Sequence, residues 1–377
     1  RLASKGTQQR GAEELARAME AMGGSVGGNA GRNSFGLRAE LLSRNLADGL
    51  DLFAECIQQA RLAPEEVERE RKLQLDQLRT RDDNPAGVAF QLFQQTLWRE
   101  HPYRLDVLGS EASLATMDPQ LLARERARLY PADRPILSVV GDVEPEEVRR
   151  LLRARFGEGG RPRPLPAAAP AAEARQRGPR AALRTLDKAQ AHLVVGFPGA
   201  RLEDTERWPL EVLSAILSGQ GGRLFLELRD KKSLAYSVSS FSMEGVDPGY
   251  FGVYIGCGPA KVGEALDGIR AELLRTRESA PTAAELDRAR THLIGTHAIG
   301  LQRNSARAAV YAFDECYGLG ADASSRYAER IAAVTADDVV AAARNFLDPA
   351  FEVIALVAPA GAAPGPIAEA AAAAGQP

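Results

Sequence analysis

The residues best placed to do chemistry lie in one stretch, Gly219–Ser240, GQGGRLFLELRDKKSLAYSVSS. A glycine loop leads into a short amphipathic helix with Leu224, Phe225 and Leu228 inward, ends at Asp230-Lys231-Lys232, and enters a strand at Leu234–Ser239. Arg229 closes the helix and Tyr236 sits in the strand, seven residues later (236 − 229 = 7). Across such a turn a guanidinium and a phenol can reach one surface point, bind a peptide carbonyl or carboxylate, and stabilise a developing oxyanion. Each residue also has an ordinary reason to be there. Arg at a helix C-terminus interacts favourably with the helix dipole, and Tyr is common in strands.

Other chemistry is poorly provided for. The four histidines are His101, His192, His292 and His297. His292 and His297 in THLIGTH are five apart, so on a helix they do not share a face as an i, i+4 metal pair would. His101 precedes a proline, as expected of a loop histidine that hydrogen-bonds backbone. No G-x-x-x-x-G-K-[ST] loop or dinucleotide fingerprint occurs, and the G-x-S-x-G string at Gly23–Gly27 leads from a helix toward a strand, not from strand to helix as a catalytic elbow does. Gly27-Gly28-Asn29-Ala30-Gly31 lies between a helix and a strand, the reverse of a phosphate cradle, and reads as a turn. Cys56, Cys257 and Cys316 are dispersed and read as isolated thiols rather than a disulfide framework.

The elements that must position Arg229 and Tyr236 follow from periodicity. Helices are expected over Ala12–Met22, Asn45–Gln59, Pro64–Thr80 and Ala86–Trp98, then Trp208–Leu217, Lys261–Arg277, Thr282–Thr296 and Ala336–Phe346. Strands are expected over Ser34–Leu42, Ile136–Val140, Ala191–Phe197, Gly249–Ile255 and Val353–Val357. Residues 158–182 hold five prolines and no β-branched or aromatic residue, which reads as an exposed linker. The flanking segments resemble each other. Glu66-Val67-Glu68-Arg69-Glu70-Arg71 matches Glu285-Leu286-Asp287-Arg288-Ala289-Arg290 at an offset of 285 − 66 = 219, and two later pairs follow at 217 and 218. A duplicated unit is the expectation: a first α/β unit at 1–157, the linker at 158–182, a second unit at 183–359 carrying Arg229 and Tyr236, and a disordered alanine-rich tail at 360–377. The fold class is α+β, two homologous sandwiches of a sheet with helices on one face. The second unit starts near Ala181, and 181 − 218 = −37, so the first unit is expected to lack roughly 40 residues at its start by the repeat logic.

The chain has 377 residues, 45% hydrophobic and 26% charged, with 47 Lys+Arg against 50 Asp+Glu. This is a globular composition. A net charge of −3 gives no basic field for nucleic acid or an anionic membrane, and no run of ~20 apolar residues could span a bilayer. A soluble protein is expected, cytoplasmic or periplasmic.

The residues of Gly219–Ser240 belong to a longer series: Ser4-Lys5-Gly6-Thr7, Gly23-Gly24-Ser25, Glu68-Arg69-Glu70-Arg71, His101-Pro102-Tyr103, Val140-Gly141-Asp142 and Lys188-Ala189-Gln190-Ala191-His192. In this order, with the duplication and central linker, the chain resembles the pitrilysin/insulinase family of zinc metallopeptidases, which includes mitochondrial processing peptidase. The resemblance implies two homologous halves joined by a hinge, one half of a clam-shell. It also implies catalysis by H-x-x-E-H on a first-half helix, with a distal Glu as third zinc ligand. The second histidine of that motif falls on Arg1 and the distal ligand on Gln77. Arginine cannot ligate zinc, and Gln lacks the anionic oxygen. Asp76 lies beside Gln77, but one residue along a helix turns a side chain by ~100°.

Arg229 and Tyr236 match the family's Arg/Tyr pair, which serves substrate binding and catalysis from the half opposite the zinc. The resemblance is therefore to the pair-bearing, non-catalytic subunit of a bacterial heterodimer. It implies no metal or other cofactor in this chain, zinc in an H-x-x-E-H-bearing homologous partner, and a peptide substrate that adds as an extended strand. Two alternatives are a catalytically inactive scaffold of the same fold and the trailing half of a longer single-chain metallopeptidase.

Overall fold

Six apolar residues in a row, Val353–Ala358, can form a strand only if both of its faces are covered. The computed structural model describes residues 1–129, 135–158, 173, 176 and 178–373. In chain order its elements begin α1 (Ala12–Ala21), β1 (Ser25–Ala30), β2 (Phe35–Glu40), α2 (Leu46–Gln58), α3 (Pro64–Arg79), α4 (Pro85–Leu97), α5 (Glu111–Ala115), α6 (Pro119–Leu129) and α7 (Pro145–Phe156). They continue with β3 (Arg180–Thr185), β4 (Ala191–Pro198), α8 (Arg207–Leu217), β5 (Ala235–Met243), β6 (Tyr250–Cys257), α9 (Val262–Glu278) and α10 (Ala283–Gly300). The last are α11 (Asn304–Cys316), α12 (Tyr327–Ala333), α13 (Ala336–Phe346), β7 (Val353–Ala358) and α14 (Gly365–Ala373). Sheets and helices alternate as an α+β fold.

Two compact units divide the chain, and they cut across the sequence halves 1–157 and 183–359. One unit gathers residues 80–105, 169–300 and 323–377; the other gathers 1–79, 106–168 and 301–322. In the first of these a five-stranded sheet has the order β3-β7-β4-β6-β5. Only β3 and β7 run parallel. Because strand side chains alternate between faces, Leu193, Val195, Phe197, Ile354 and Leu356 join one core with Leu213, Ile216, Ile269 and Val339 of the helices. Val194, Val353, Ala355 and Val357 join another with Val88, Ala89, Leu92 and Phe93 of α4. The second face is thus covered by a helix from early in the sequence. Asn84 caps α4 by accepting from the Gly87 amide at 3.1 Å, and Pro85 opens it.

The other unit carries the hairpin β1-β2, paired from Ser25↔Glu40 to Ala30↔Phe35. Its buried cluster is Leu15, Met19, Leu52 and Cys56. Helix α11 belongs here, where the hydroxyls of Ser34 and Tyr317 lie 2.7 Å apart. Helices α4 and α11 begin 219 residues apart (304 − 85), the repeat period. Each repeat therefore gives its equivalent helix to the unit built mainly from the other.

Several elements differ from expectation, each for a physical reason. Ile136–Val140 forms no strand. Its counterpart at an offset of 218 is Ile354–Ala358 in β7, which is flanked by β3 and β4, whereas among the described residues no strand pairs with Ile136–Val140. Gly27–Ala30 is strand rather than turn. A Cβ at Gly28 would stand 2.9 Å from the Arg1 backbone nitrogen, so the glycine admits a close backbone approach. Strand β3 starts inside the expected linker, most of which (159–172, 174, 175 and 177) lies outside the described residues. Within it, the Glu173 carboxylate accepts from the amides of Arg99, Glu100 and His101 at 2.9–3.1 Å.

The tail expected to be disordered contains α14, and residues 374–377 lie outside the described residues. A low apolar area suffices there because Ile367 and Ala371 are both buried, at 2% and 3% exposure. Truncation of Ile367 to Ala should therefore cost about 2–5 kcal/mol in urea unfolding. An unchanged midpoint would restore the disordered tail.

Candidate functional site

Helix α8 ends at Leu217, and Ser218 turns the chain by donating its hydroxyl to the Ser240 carbonyl at 3.1 Å while accepting from the Ser240 amide at 2.7 Å. After the glycine loop, Arg223 is clamped. Its Nε and one terminal nitrogen donate to the two Glu285 oxygens at 2.6 and 2.9 Å, and the Arg223 side chain is 8% exposed. Glu285 also accepts from the Thr282 amide at 2.9 Å, closing the N-terminal box of α10. The Arg223 hydrogen bonds, aided by those from Thr282, hold the Glu285 carboxyl at about 2. Sequence reading missed this clamp, although Thr-x-x-Glu after Pro281 was a signal for the box.

From this anchor the chain winds as a π-helix over Phe225–Lys231, a rare form that concentrates at functional sites. Leu224 and Leu228 are fully buried, as the amphipathic reading required, and Phe225 is partly buried. Arg229 points to solvent with its guanidinium carbon 4.7 Å from the Phe225 ring centroid, a cation–π contact. Lys231 pairs with Glu227. The turn that follows is held tightly. Ser233 adopts φ 51°, its amide donates to Arg229 O at 3.0 Å, and its carbonyl accepts from Lys261 Nζ at 2.8 Å. The Leu234 amide donates to Leu228 O at 2.8 Å.

Tyr236 then stands 66% exposed on β5, the edge strand. Ala235 pairs with Cys257 and Ser237 with Gly256, so Tyr236 is the extra residue of a β-bulge. Bulges re-aim side chains next to active sites. The structure places Arg229 and Tyr236 at the two ends of one pinned turn, both in solvent. No hydrogen bond joins their heads among the described residues.

The other predicted positions lie in the unit with α3. Arg1 donates to Gln77 Oε1 at 3.4 Å, and its guanidinium is 3.7 Å from Glu70. Lys5 is 3.9 Å from the other Glu70 oxygen. Asp76 pairs instead with Arg79 at 3.4 Å, its side chain 66% exposed. Thr7 shows what holds the Lys-Gly-Thr segment: its hydroxyl donates to the buried Glu55 carboxylate and accepts from the Arg10 amide at 3.0 Å. Elsewhere His101 accepts from the Tyr103 amide at 3.1 Å, and its other ring nitrogen is 3.2 Å from Asp247. His292 is exposed and His297 stacks on Tyr327. Sequence reading also missed Glu211, whose carboxyl accepts from Tyr327 and is pushed up to about 7 by burial.

Comparison with known proteins shows the family. Residues 1–111 match the family model described as Insulinase (Peptidase family M16), and residues 117–293 match Peptidase M16 inactive domain. An uncharacterized zinc protease of Streptomyces coelicolor is 32% identical over 356 residues, covering 91% of this chain and 76% of that protein. The chain belongs to peptidase family M16. A second relative, an uncharacterized zinc protease of Mycobacterium tuberculosis, is 31% identical over 348 residues, covering 91% of this chain and 79% of its own. Among solved structures a protease from Helicobacter pylori superposes with a TM-score of 0.84 at 23% identity, covering 95% of this chain and 87% of that one. The peptidase M16 inactive domain from Pseudomonas fluorescens gives 0.83 at 19%, covering 95% and 86%.

Zinc is the metal that the relatives' names and the M16 family imply, and the donors here do not fit it. A guanidinium cannot be deprotonated to offer a lone pair, and Arg1 lies against the neutral amide of Gln77. Among the described residues no group of three His, Cys, Asp or Glu could hold a metal ion.

The clamp makes a measurable acid dependence. Glu285 is depressed in the folded chain from an ordinary 4.5 to about 2, so its contribution is present above pH 4.5 and lost as pH falls through about 2. Urea titrations of wild type and Glu285→Gln should differ by a constant amount above about pH 5 and converge between pH 4.5 and 2. A difference that ignores pH would show that Glu285 carries no charge-dependent role.

Proposed function

We propose that this chain is the zinc-free subunit of a two-chain M16 zinc endopeptidase, in which an H-x-x-E-H-bearing homologous partner brings the metal and this chain brings Arg229 and Tyr236. The observation that carries the proposal is a contrast in one molecule. The zinc-donor positions hold a guanidinium and an amide, while Arg229 and Tyr236 remain exposed on a turn fixed by a buried ion pair, a π-helix and a bulge. Nothing in the fold needs a two-thirds-exposed tyrosine at a bulge, so its chemistry is directed outward.

In this reading an extended peptide segment is held by backbone pairing to a sheet edge. Arg229 binds a peptide carbonyl or carboxylate through its planar fork, and the Tyr236 hydroxyl donates to the carbonyl oxygen as negative charge develops on it. A scaffold role for the same fold is the second reading, favoured by the replaced donors at Arg1 and Gln77 alone.

Zinc content and hydrolysis of an unstructured peptide, measured for this chain alone and mixed with a co-encoded H-x-x-E-H protein, separate the two. The expected result is no stoichiometric zinc and no activity alone, then chelator-sensitive activity on mixing. Tyr236→Phe should lower turnover of the mixture by ~10²-fold, the scale of one lost oxyanion donor, with an unchanged melting temperature. Inactivity in every mixture would favour the scaffold, and stoichiometric zinc in the isolated chain would overturn the zinc-free reading.

A further inference from the structure

We propose that Lys261 is a positioning residue for the Arg229/Tyr236 site: its ammonium holds the Ser233 carbonyl and so locks the left-handed helix stop that sets Arg229 against Tyr236. Its consequence for turnover rests on the reading of Tyr236 given above, whereas the lock itself is a property of this chain alone.

The π-helix ends as helices commonly do, on a residue in the left-handed region. The Ser233 amide donates to Arg229 O at 3.0 Å and the Leu234 amide to Leu228 O at 2.8 Å, so the stop closes on the carbonyl of Arg229 itself. Tyr236 follows two residues after Leu234. Leu228 and Leu234 are buried in one core, the apolar contact that accompanies such stops. The residue at φ 51° is a serine, however. Glycine adopts that conformation freely and an L side chain does not, so the stop is less favourable than its hydrogen bonds alone suggest.

A second residue is out of place by the same local rules. Lys261 takes the N-cap position of α9, with φ −101° and ψ 3°, and its side chain makes no capping hydrogen bond. N-caps favour Ser, Thr, Asp and Asn, and a cation at a helix N-terminus opposes the dipole. Its Nζ donates instead to Ser233 O at 2.8 Å, joining the two locally unfavourable residues by one charge-assisted bond. The base from which it reaches is well anchored. Cys257, at the end of β6, pairs with Ala235 next to Tyr236; the Lys261 amide donates to Gly258 O at 2.9 Å; and Val262 is buried in the same core as Leu228 and Leu234. The circuit from Arg229 through Ser233 and Lys261 back to Ala235 thus encloses the segment that spaces the guanidinium from the phenol. Departures from local preference gather at functional sites, and these two meet between Arg229 and Tyr236.

Lys261→Met keeps the apolar stem and removes the ammonium. In the isolated full chain, hydrogen exchange of the Ser233 and Leu234 amides should quicken roughly two- to tenfold, as expected for one lost hydrogen bond, with the amides of β6 and the melting temperature unchanged. Ser233→Gly removes the left-handed cost, so in the Lys261→Met background it should return protection toward the wild-type level. In the active mixture Lys261→Met should lower kcat with KM unchanged, in the direction of Tyr236→Phe, and adding Ser233→Gly should recover it. Unchanged exchange in Lys261→Met overturns the lock. Faster exchange with full kcat, where Tyr236→Phe is impaired, overturns its positioning role. A kcat that stays low once Ser233→Gly has restored protection also overturns it, and assigns the lysine's charge to the substrate instead. If Tyr236→Phe itself keeps full turnover, the functional reading fails while the exchange data still decide the lock.

Discussion

Strands β4 and β7 carry apolar side chains on both faces, and covering both faces organises the molecule. One face is met by α8, α9 and α13, which follow or precede these strands closely in sequence. The other is met by α4, which comes from the first repeat. Burying one Phe or Leu stabilises by about 1.5–3 kcal/mol, so Phe93, Leu92 and Leu97 against a flat apolar face outweigh the loss of α4 from its own repeat. Helix α11 makes the complementary move. A chain duplicated by repetition has become one in which the sheet of the later repeat is covered by a helix of the earlier one.

That sheet also fixes the candidate site, because β5 is its edge and inherits its register from β6 and β4. The glycine loop and π-helix would otherwise be a long surface excursion with little holding it. Arg223–Glu285 ties its start to α10, Lys261 ties its end to the α9 side, and two fully buried leucines pin its middle. Charged hydrogen bonds are worth about 1.5–3 kcal/mol where partly buried, enough to restrain the turn. At the surface of this restrained segment Arg229 and Tyr236 are both exposed.

Much of this was legible in the residues. The 3.6-residue pattern located α2, α3, α4, α9 and α13 to within a residue or two, because amphipathic period is a local property. The repeat was legible from Glu-Arg-Glu-Arg and its counterpart. The assignment of helices to units was not, since only packing decides the partners of α4 and α11. Strand β1 was hidden because Gly28 answers to a backbone neighbour, Arg1, rather than to a propensity. The bulge at Tyr236 was invisible for a related reason: it exists only as a mismatch with β6. Ile136–Val140 failed in the opposite sense, since an apolar run makes a strand only where a partner strand is present.

The two groups of residues matched to the family, Arg1 with Gln77 and Arg229 with Tyr236, are subject to different physical requirements. A metal centre needs anionic or neutral lone pairs held close together, and a single cation in that space excludes a second one by repulsion. The Arg1 guanidinium at 3.7 Å and Lys5 at 3.9 Å offset the charge of buried Glu70, although its Oε2 finds no hydrogen-bond partner among the described residues. The Arg229/Tyr236 turn shows the reverse economy: a left-handed serine, a π-helix and a bulge are all less favourable than regular structure, and together they present two polar heads that touch neither each other nor the core. In the proposed reading that strain is offset from outside the chain, by the peptide that Arg229 and Tyr236 bind.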